Sequence, residues 1–211
     1  MNALAQILKY KIIAIIRGVE PANVFPIVRA LYEGGIRMVE ITLNSESAFE
    51  LIGELSSGMK EMLIGAGTVL DVPSARTAIL HGAQFIISPS MDIEVIKYVK
   101  QQKRISIPGA FTATEIVIAY QAGADIIKVF PVPSPQYIHD LRGPLPHIPL
   151  MPTGRIDADN ISEFQKAGAV AFGVGSSLVK AGHQITGDAL QQLTIRAGRF
   201  VQAIKNTSDI H

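Results

Sequence analysis

A single-domain (β/α)8 barrel of the TIM class, spanning residues 1–211 behind a short N-terminal helix, is the fold this sequence predicts. Three observations predict it. Eight apolar runs alternate with segments of helical periodicity, the pattern of parallel strands joined by helical crossovers. A glycine followed by a small or apolar residue and then an apolar run recurs at Gly35-Ile36, Gly82-Ala83, Gly123-Ala124 and Gly168-Ala169, at intervals of 41 to 47 residues. Each interval holds two βα units, so four blocks make eight, which a closed barrel accommodates. The competing open doubly wound sheet would carry G-x-G-x-x-G after its first strand, and none follows here.

The elements read off in order. Leu4, Ile7 and Leu8 stand at helical spacing between Asn2 and Tyr10. The run 11–16 (KIIAII) is a buried strand ending at Arg17-Gly18, and the helix 23–32 stops at Gly34-Gly35, a C-terminal glycine signal. Strand 36–43 carries Glu40 and is followed by helix 46–55. Strand 62–64 runs into Gly65–Thr68, helix 73–80 ends at Gly82, and strand 85–87 ends at Ser88-Pro89. Helix 93–101, strand 105–107 ending at Pro108-Gly109, and helix 114–121 follow. The run 124–131, ADIIKVFP, is the sixth strand and holds Lys128 near its middle. Helix 137–141, strand 150–151 running into Pro152–Arg155, helix 160–166, strand 170–174 running into Gly175–Ser177 and helix 189–204 complete the chain.

Composition narrows the function. A hydrophobic share of 48% against 18% charged supports a sizeable core and argues against disorder. A net charge of +1 offers no field for nucleic acid or an anionic membrane. The absence of cysteine excludes disulfides, thiolate metal sites and cysteine nucleophiles. No apolar run approaches the roughly 18 residues that span a bilayer, and the N-terminus lacks a signal-peptide pattern. A soluble cytoplasmic protein is expected. The five histidines (His81, His139, His147, His183 and His211) fall on helices, loops or the tail with no metal-site spacing, and read as structural or solvated.

Barrel active sites sit at the C-terminal ends of the strands. The residues there include Arg17, Glu40 with Thr42, Gly65–Thr68, Ser88-Pro89, Lys128 with Phe130, Thr153–Arg155 and Gly175–Ser177. A lysine and a glutamate on buried strands have two readings. One is a structural ion pair. The other is a Schiff-base amine with a general acid/base carboxyl. Attack near neutral pH needs an amine pKa well below the usual value of about 10.4, which desolvation and a nearby arginine supply. A carboxylate touching the amine would oppose it, so Glu40 is expected to act at a distance or through water. The glycine loops after strands seven and eight have their own two readings, turn residues or an anion nest of bare backbone amides.

Seven motifs in order, IIAIIRG (12–18), VEITL (39–43), IGAGTV (64–69), FIISP (85–89), IPGAFT (107–112), IKVFP (127–131) and MPTG (151–154), resemble the family of 2-keto-3-deoxy-6-phosphogluconate and 4-hydroxy-2-ketoglutarate aldolases. The likeness runs from about Ala5 to Arg199. It implies a class I aldolase that needs no metal or other cofactor, acts on a 2-keto acid, releases pyruvate and assembles as a homotrimer. Lys128 matches the family's Schiff-base lysine and Glu40 its general acid/base. Thr68 matches the threonine that binds the pyruvate carboxylate, with Arg17 placed to help. Pro89 and Phe130 match residues that wall the imine. Thr153, Gly154, Gly175 and Ser176 fall where the family holds the distal phosphate. The preferred expectation is cleavage of the phosphogluconate derivative. Its galactonate epimer, 4-hydroxy-2-ketoglutarate, a phosphosugar isomerase or epimerase, and a non-catalytic sugar-phosphate-binding barrel are the alternatives. Two positions depart from the family pattern. Asn44 stands where some members have an arginine, which shifts carboxylate binding onto Arg17 and Thr68. Arg155 replaces the second glycine of PTGG, either crowding the phosphate nest or adding a charge-assisted contact.

Overall fold

The computed structural model describes residues 2–180, 182 and 185–208. Among these, the strands are β1 (Ile12–Ile16), β2 (Met38–Thr42), β3 (Leu63–Gly67), β4 (Phe85–Ile87), β5 (Ile105–Ile107), β6 (Gly109–Ala110), β7 (Ile127–Val129), β8 (Leu150–Pro152) and β9 (Phe172–Val174). The helices are α1 (Ala3–Tyr10), α2 (Pro21–Glu33), α3 (Ala48–Gly58), α4 (Val72–Leu80), α5 (Ile93–Gln101), α6 (Ala113–Gln121), α7 (Pro135–Arg142), α8 (Ile161–Lys166) and α9 (Gly187–Ser208).

All strand pairings are parallel, in the orders β5-β4-β3-β2-β1-β9 and β6-β7-β8. The two runs join into one curled sheet of eight barrel positions. At one seam β5 and β6 share the fifth position, split at Pro108, which has no N–H for the ladder but accepts from the Lys128 amide at 2.9 Å. At the other seam Thr153 bridges Gly173, and the Val170 amide donates to the Leu150 carbonyl at 3.0 Å. The expected (β/α)8 barrel is therefore present.

Some boundaries differ from the sequence reading. The sixth barrel strand is confined to Ile127–Val129 rather than 124–131. Asp125 is drawn instead into the preceding turn, where its carboxylate meets Lys100 Nζ at 2.5 Å and accepts from the Ser106 amide at 2.9 Å. Polar side chains set helix starts: Asp71 and Asp92 accept from first-turn amides, and Thr112 with Glu115 forms a reciprocal capping box. The last helix starts two residues earlier than its apolar periodicity suggests and runs on to Ser208.

Strand side chains alternate between two cores. Ile12, Ala14 and Ile16 face the helices, while Ile13 joins Met38, Leu63, Phe85, Ile87, Ile107, Ile126 and Met151 inside the barrel. Ile7 from α1 belongs to this inner cluster and is fully buried, so α1 seals the barrel's N-terminal end. Ile7→Ala should cost about 2–5 kcal/mol, lowering Tm by roughly 2–4 °C per kcal/mol for a chain of this size. Leu80→Ala, at a site 79% exposed, should change stability by less than about 0.5 kcal/mol. Thermal denaturation of the two variants checks the contrast. No helix among the described residues is long and apolar enough to cross a membrane.

Candidate active site

The inner face changes character towards the strands' C-terminal ends. Register places Glu40 beside Ile15 and Gly65, and Lys128 beside Gly109 and Met151. Both side chains lie on the inward parity of their strands. Lys128 is 3% exposed and Glu40 1%. The Lys128 ammonium sits 4.9 Å from the Phe130 ring centroid. Among the described residues it makes no hydrogen bond or ion pair, and neither Glu40 oxygen has a hydrogen-bond partner. The two groups therefore sense each other without touching, as expected from the opposition a direct contact would create.

Burial is the largest influence on both groups. It pushes the Lys128 amine below its usual range; the Glu40 carboxylate opposes this and the Arg17 guanidinium reinforces it. Burial likewise pushes the Glu40 carboxyl up, opposed by Lys128 and Arg17. Each group is driven towards its neutral form, and a neutral amine is a nucleophile.

A residue type that the motif reading passed over makes room for Glu40. A Cβ placed on Gly67 would lie 1.6 Å from Glu40 Oε1 and 2.2 Å from Cδ. The carboxyl thus lies directly over bare backbone on the neighbouring strand. Gly173 does the same for Thr153, whose Oγ1 would be 2.3 Å from a Cβ there and is itself buried without a partner. Register sets Gly67 opposite Thr42, two residues beyond Glu40, and Thr153 bridges Gly173, so both contacts are made across neighbouring strands.

A cleft of about 400 Å³ opens above Lys128. Arg17, Lys128, Phe130, Thr153, Gly154, Arg155, Gly175 and Ser176 all line it, so the structure brings these sequence-selected residues together. Glu40 lies beneath, in the barrel interior. Thr68 follows directly on β3 with a left-handed φ of 58°, and Pro89 follows β4 with its carbonyl against Gly109. Neither is among the residues lining the cleft. Two loops meet at its rim. Gly154 and Arg155 take successive positive φ values of 93° and 57°, and the Arg155 carbonyl accepts from Asn160 Nδ2 at 2.8 Å. The Ser177 hydroxyl donates to the Ile156 carbonyl and ties the loops together. Ser177 was collected from the sequence only as part of its loop; this tie gives it a role.

Among the described histidines, His81 contacts the Thr77 carbonyl, His139 lies beside Asp140, and His147 packs edge-on to Tyr120. His183 and His211 lie outside the described residues. No cluster of metal-ligating side chains occurs among the described residues.

A desolvated amine beside a carboxyl of raised pKa, at the mouth of a parallel barrel, is an arrangement suited to imine chemistry on a carbonyl substrate. The chain belongs to the KDPG and KHG aldolase family, whose family model matches residues 4–194. It is accordingly an aldolase, a lyase. It is 34% identical over 201 residues to the 2-dehydro-3-deoxy-6-phosphogalactonate aldolase of Escherichia coli K12, covering 93% of this chain and 96% of that one. It is also 34% identical over 179 residues to the 2-dehydro-3-deoxy-phosphogluconate aldolase of Treponema pallidum, covering 81% and 85%. The native KDPGal structure superposes with a TM-score of 0.87 at 32% identity, covering 94% of this chain and 96% of that chain.

Proposed function

We propose that the protein is a class I aldolase that cleaves a 2-keto-3-deoxy-6-phospho sugar acid to pyruvate and glyceraldehyde 3-phosphate through an imine on Lys128. The observation that carries this reading is the buried, unpaired Lys128 amine sharing the barrel interior with an unpaired Glu40 carboxyl. The neutral amine attacks the C2 ketone, and loss of water gives an iminium. Glu40, through a water, takes the C4 hydroxyl proton. The C3–C4 electron pair flows into the iminium, the aldehyde leaves, and the enamine is protonated at C3 and hydrolysed to pyruvate. Arg17 and Thr68 hold the substrate carboxylate. Pro89 and Phe130 wall the imine. Thr153, Gly154, Gly175 and Ser176 receive the distal phosphate.

The gluconate and galactonate epimers yield the same two products. The gluconate derivative was the first expectation from the motifs. The near full-length match to a galactonate enzyme, together with the KDPGal superposition, favours the galactonate epimer instead. Cleavage assays on both phosphorylated epimers, on their unphosphorylated forms and on 4-hydroxy-2-ketoglutarate test the assignment. The phosphorylated substrates should be preferred, and preference for 4-hydroxy-2-ketoglutarate would contradict it. Arg155 bears on this directly. Its position on the cleft rim suits a charge-assisted contact to the phosphate. Arg155→Gly should lower kcat/KM for the phosphorylated substrate by about ten-fold, and leave the unphosphorylated one nearly unchanged. A rise instead would mean that the side chain crowds the site.

The homotrimer implied by the family resemblance, and the reducing cytoplasm that a cysteine-free chain suits, belong to the same proposal. Light scattering should give three times the 22.7 kDa chain mass.

A further inference from the structure

We propose that the Thr42 and Ser45 hydroxyls form a relay that positions Arg17 over the cleft. The inference rests on the reading that Arg17 binds the substrate carboxylate.

The relay begins at the end of β2. Thr42 is fully buried and stands two residues beyond Glu40, on the same inward parity. Its Oγ1 lies 3.3 Å from the Ile16 carbonyl oxygen and 2.9 Å from Ser45 Oγ. A carbonyl only accepts, so the Thr42 proton is committed to Ile16. The short contact between the hydroxyls is then a donation from Ser45 to Thr42. That leaves Ser45 Oγ as an acceptor, and the Gly18 amide donates to it at 3.0 Å. The result is one directed chain: Gly18 N–H to Ser45 O–H to Thr42 O–H to the Ile16 carbonyl.

Its two ends bracket a single residue. The Ile16 carbonyl belongs to the peptide group entering Arg17, and the Gly18 amide to the one leaving it. Both are tied to the end of β2, the strand that also carries Glu40. Arg17 itself is exposed, lines the cleft, and makes no side-chain hydrogen bond or ion pair among the described residues. The β1–β2 ladder ends at Ile16 and a glycine of left-handed φ (59° at Gly18) follows, so the two ties hold the backbone where the ladder stops. Asn44, between the two relay residues, is exposed and makes no side-chain hydrogen bond among the described residues. The direction of Arg17 therefore comes from its backbone, and its backbone is held by these two hydroxyls.

A positioning role differs from a general structural one in which kinetic quantity it moves. The rate of borohydride reduction of the pyruvate imine is measured against pyruvate concentration for the parent, Ser45→Ala, Ser45→Thr, Thr42→Val, Arg17→Ala and the Arg17→Ala/Ser45→Ala double variant. Ser45→Ala should raise the half-saturating pyruvate concentration by about five-fold, the effect of one lost hydrogen bond, with the maximal rate within about two-fold. Thr42→Val should match it, and Ser45→Thr, which keeps the hydroxyl, should restore the parent value. Arg17→Ala should raise half-saturation further, and adding Ser45→Ala to it should change nothing more, because the relay acts only through Arg17. If Arg17→Ala weakens pyruvate binding while Ser45→Ala does not, or if the two effects multiply in the double variant, the relay is refuted and the Arg17 assignment stands. If Arg17→Ala leaves half-saturation unchanged, the carboxylate assignment fails and the relay fails with it. Thermal denaturation of each variant identifies any that misfolds, and the Ser45→Thr result keeps the question open to decision in that event.

Discussion

Lys128→Met is expected to abolish aldol cleavage, with kcat/KM falling on the order of 10⁴-fold or more, and to make the protein more stable. Both outcomes have the same origin. The amine is held in an apolar interior without a partner, which prepares it for attack and costs folding free energy. The sign follows from its lowered pKa. Above the unfolded lysine value, about 10.4, neither state is charged and there is no cost. As pH falls through that value towards the lower folded one, the unfolded chain takes up a proton that the folded chain does not, and stability is lost. The loss persists at neutral pH. Methionine fills the same linear volume without the charge. Burial pushes the Glu40 carboxyl up as well, so that group can take up a proton once the neighbouring Lys128 charge is gone. The gain should be about 1–3 kcal/mol, read as a Tm increase near neutral pH that narrows as pH approaches the unfolded lysine value. An active variant would remove Lys128 from the chemistry. A less stable one would mean that the amine is satisfied by a partner.

The second large effect comes from a residue with no side chain. Gly67→Ala should reduce kcat by about 10²–10⁴-fold, the range expected for removing a positioned general acid/base. The new Cβ would overlap Glu40 Oε1 at 1.6 Å, so the carboxyl must leave its place. Gly67 is not in the left-handed region, so alanine brings no backbone strain and the barrel should still form. Glu40→Gln should show a loss of the same order, and the double variant should lose no more than Glu40→Gln alone. Pyruvate imine formation should persist in all three. Steady-state kinetics on the set checks the claim, and additive losses would show that Gly67 does something other than seat Glu40.

The barrel was legible in the sequence because its strands are buried on both faces. Such strands read as continuous apolar runs, and glycine punctuation between them marked the βα repeat. The split at Pro108 and the shortening around Lys128 were not legible, since an apolar run does not reveal where ladder pairing stops. Within the site, Lys128 and Glu40 stood out as charges on apolar strands, and Arg17, Thr153, Gly154, Arg155, Gly175 and Ser176 followed from lying at strand ends. Gly67 was read as part of a loop motif, because its importance lies in a contact with the neighbouring strand. The links from Thr42 to Ile16 and from Gly18 to Ser45 cross 26 and 27 residues, a span over which spacing carries no information. Thr68 and Pro89 were selected by motif, and the cleft is lined without them.

The proposed chemistry turns on Lys128 as the nucleophile. Borohydride reduction in the presence of pyruvate, followed by peptide mass mapping, tests it most directly. Lys11 is the internal comparison, a partly buried lysine whose amine burial also lowers, placed between α1 and β1 at the opposite end of the barrel. One reduced pyruvate adduct per chain is expected, on Lys128, and none on Lys11. An unmodified Lys128 under conditions that trap a known class I aldolase, or an adduct on another lysine, would contradict it.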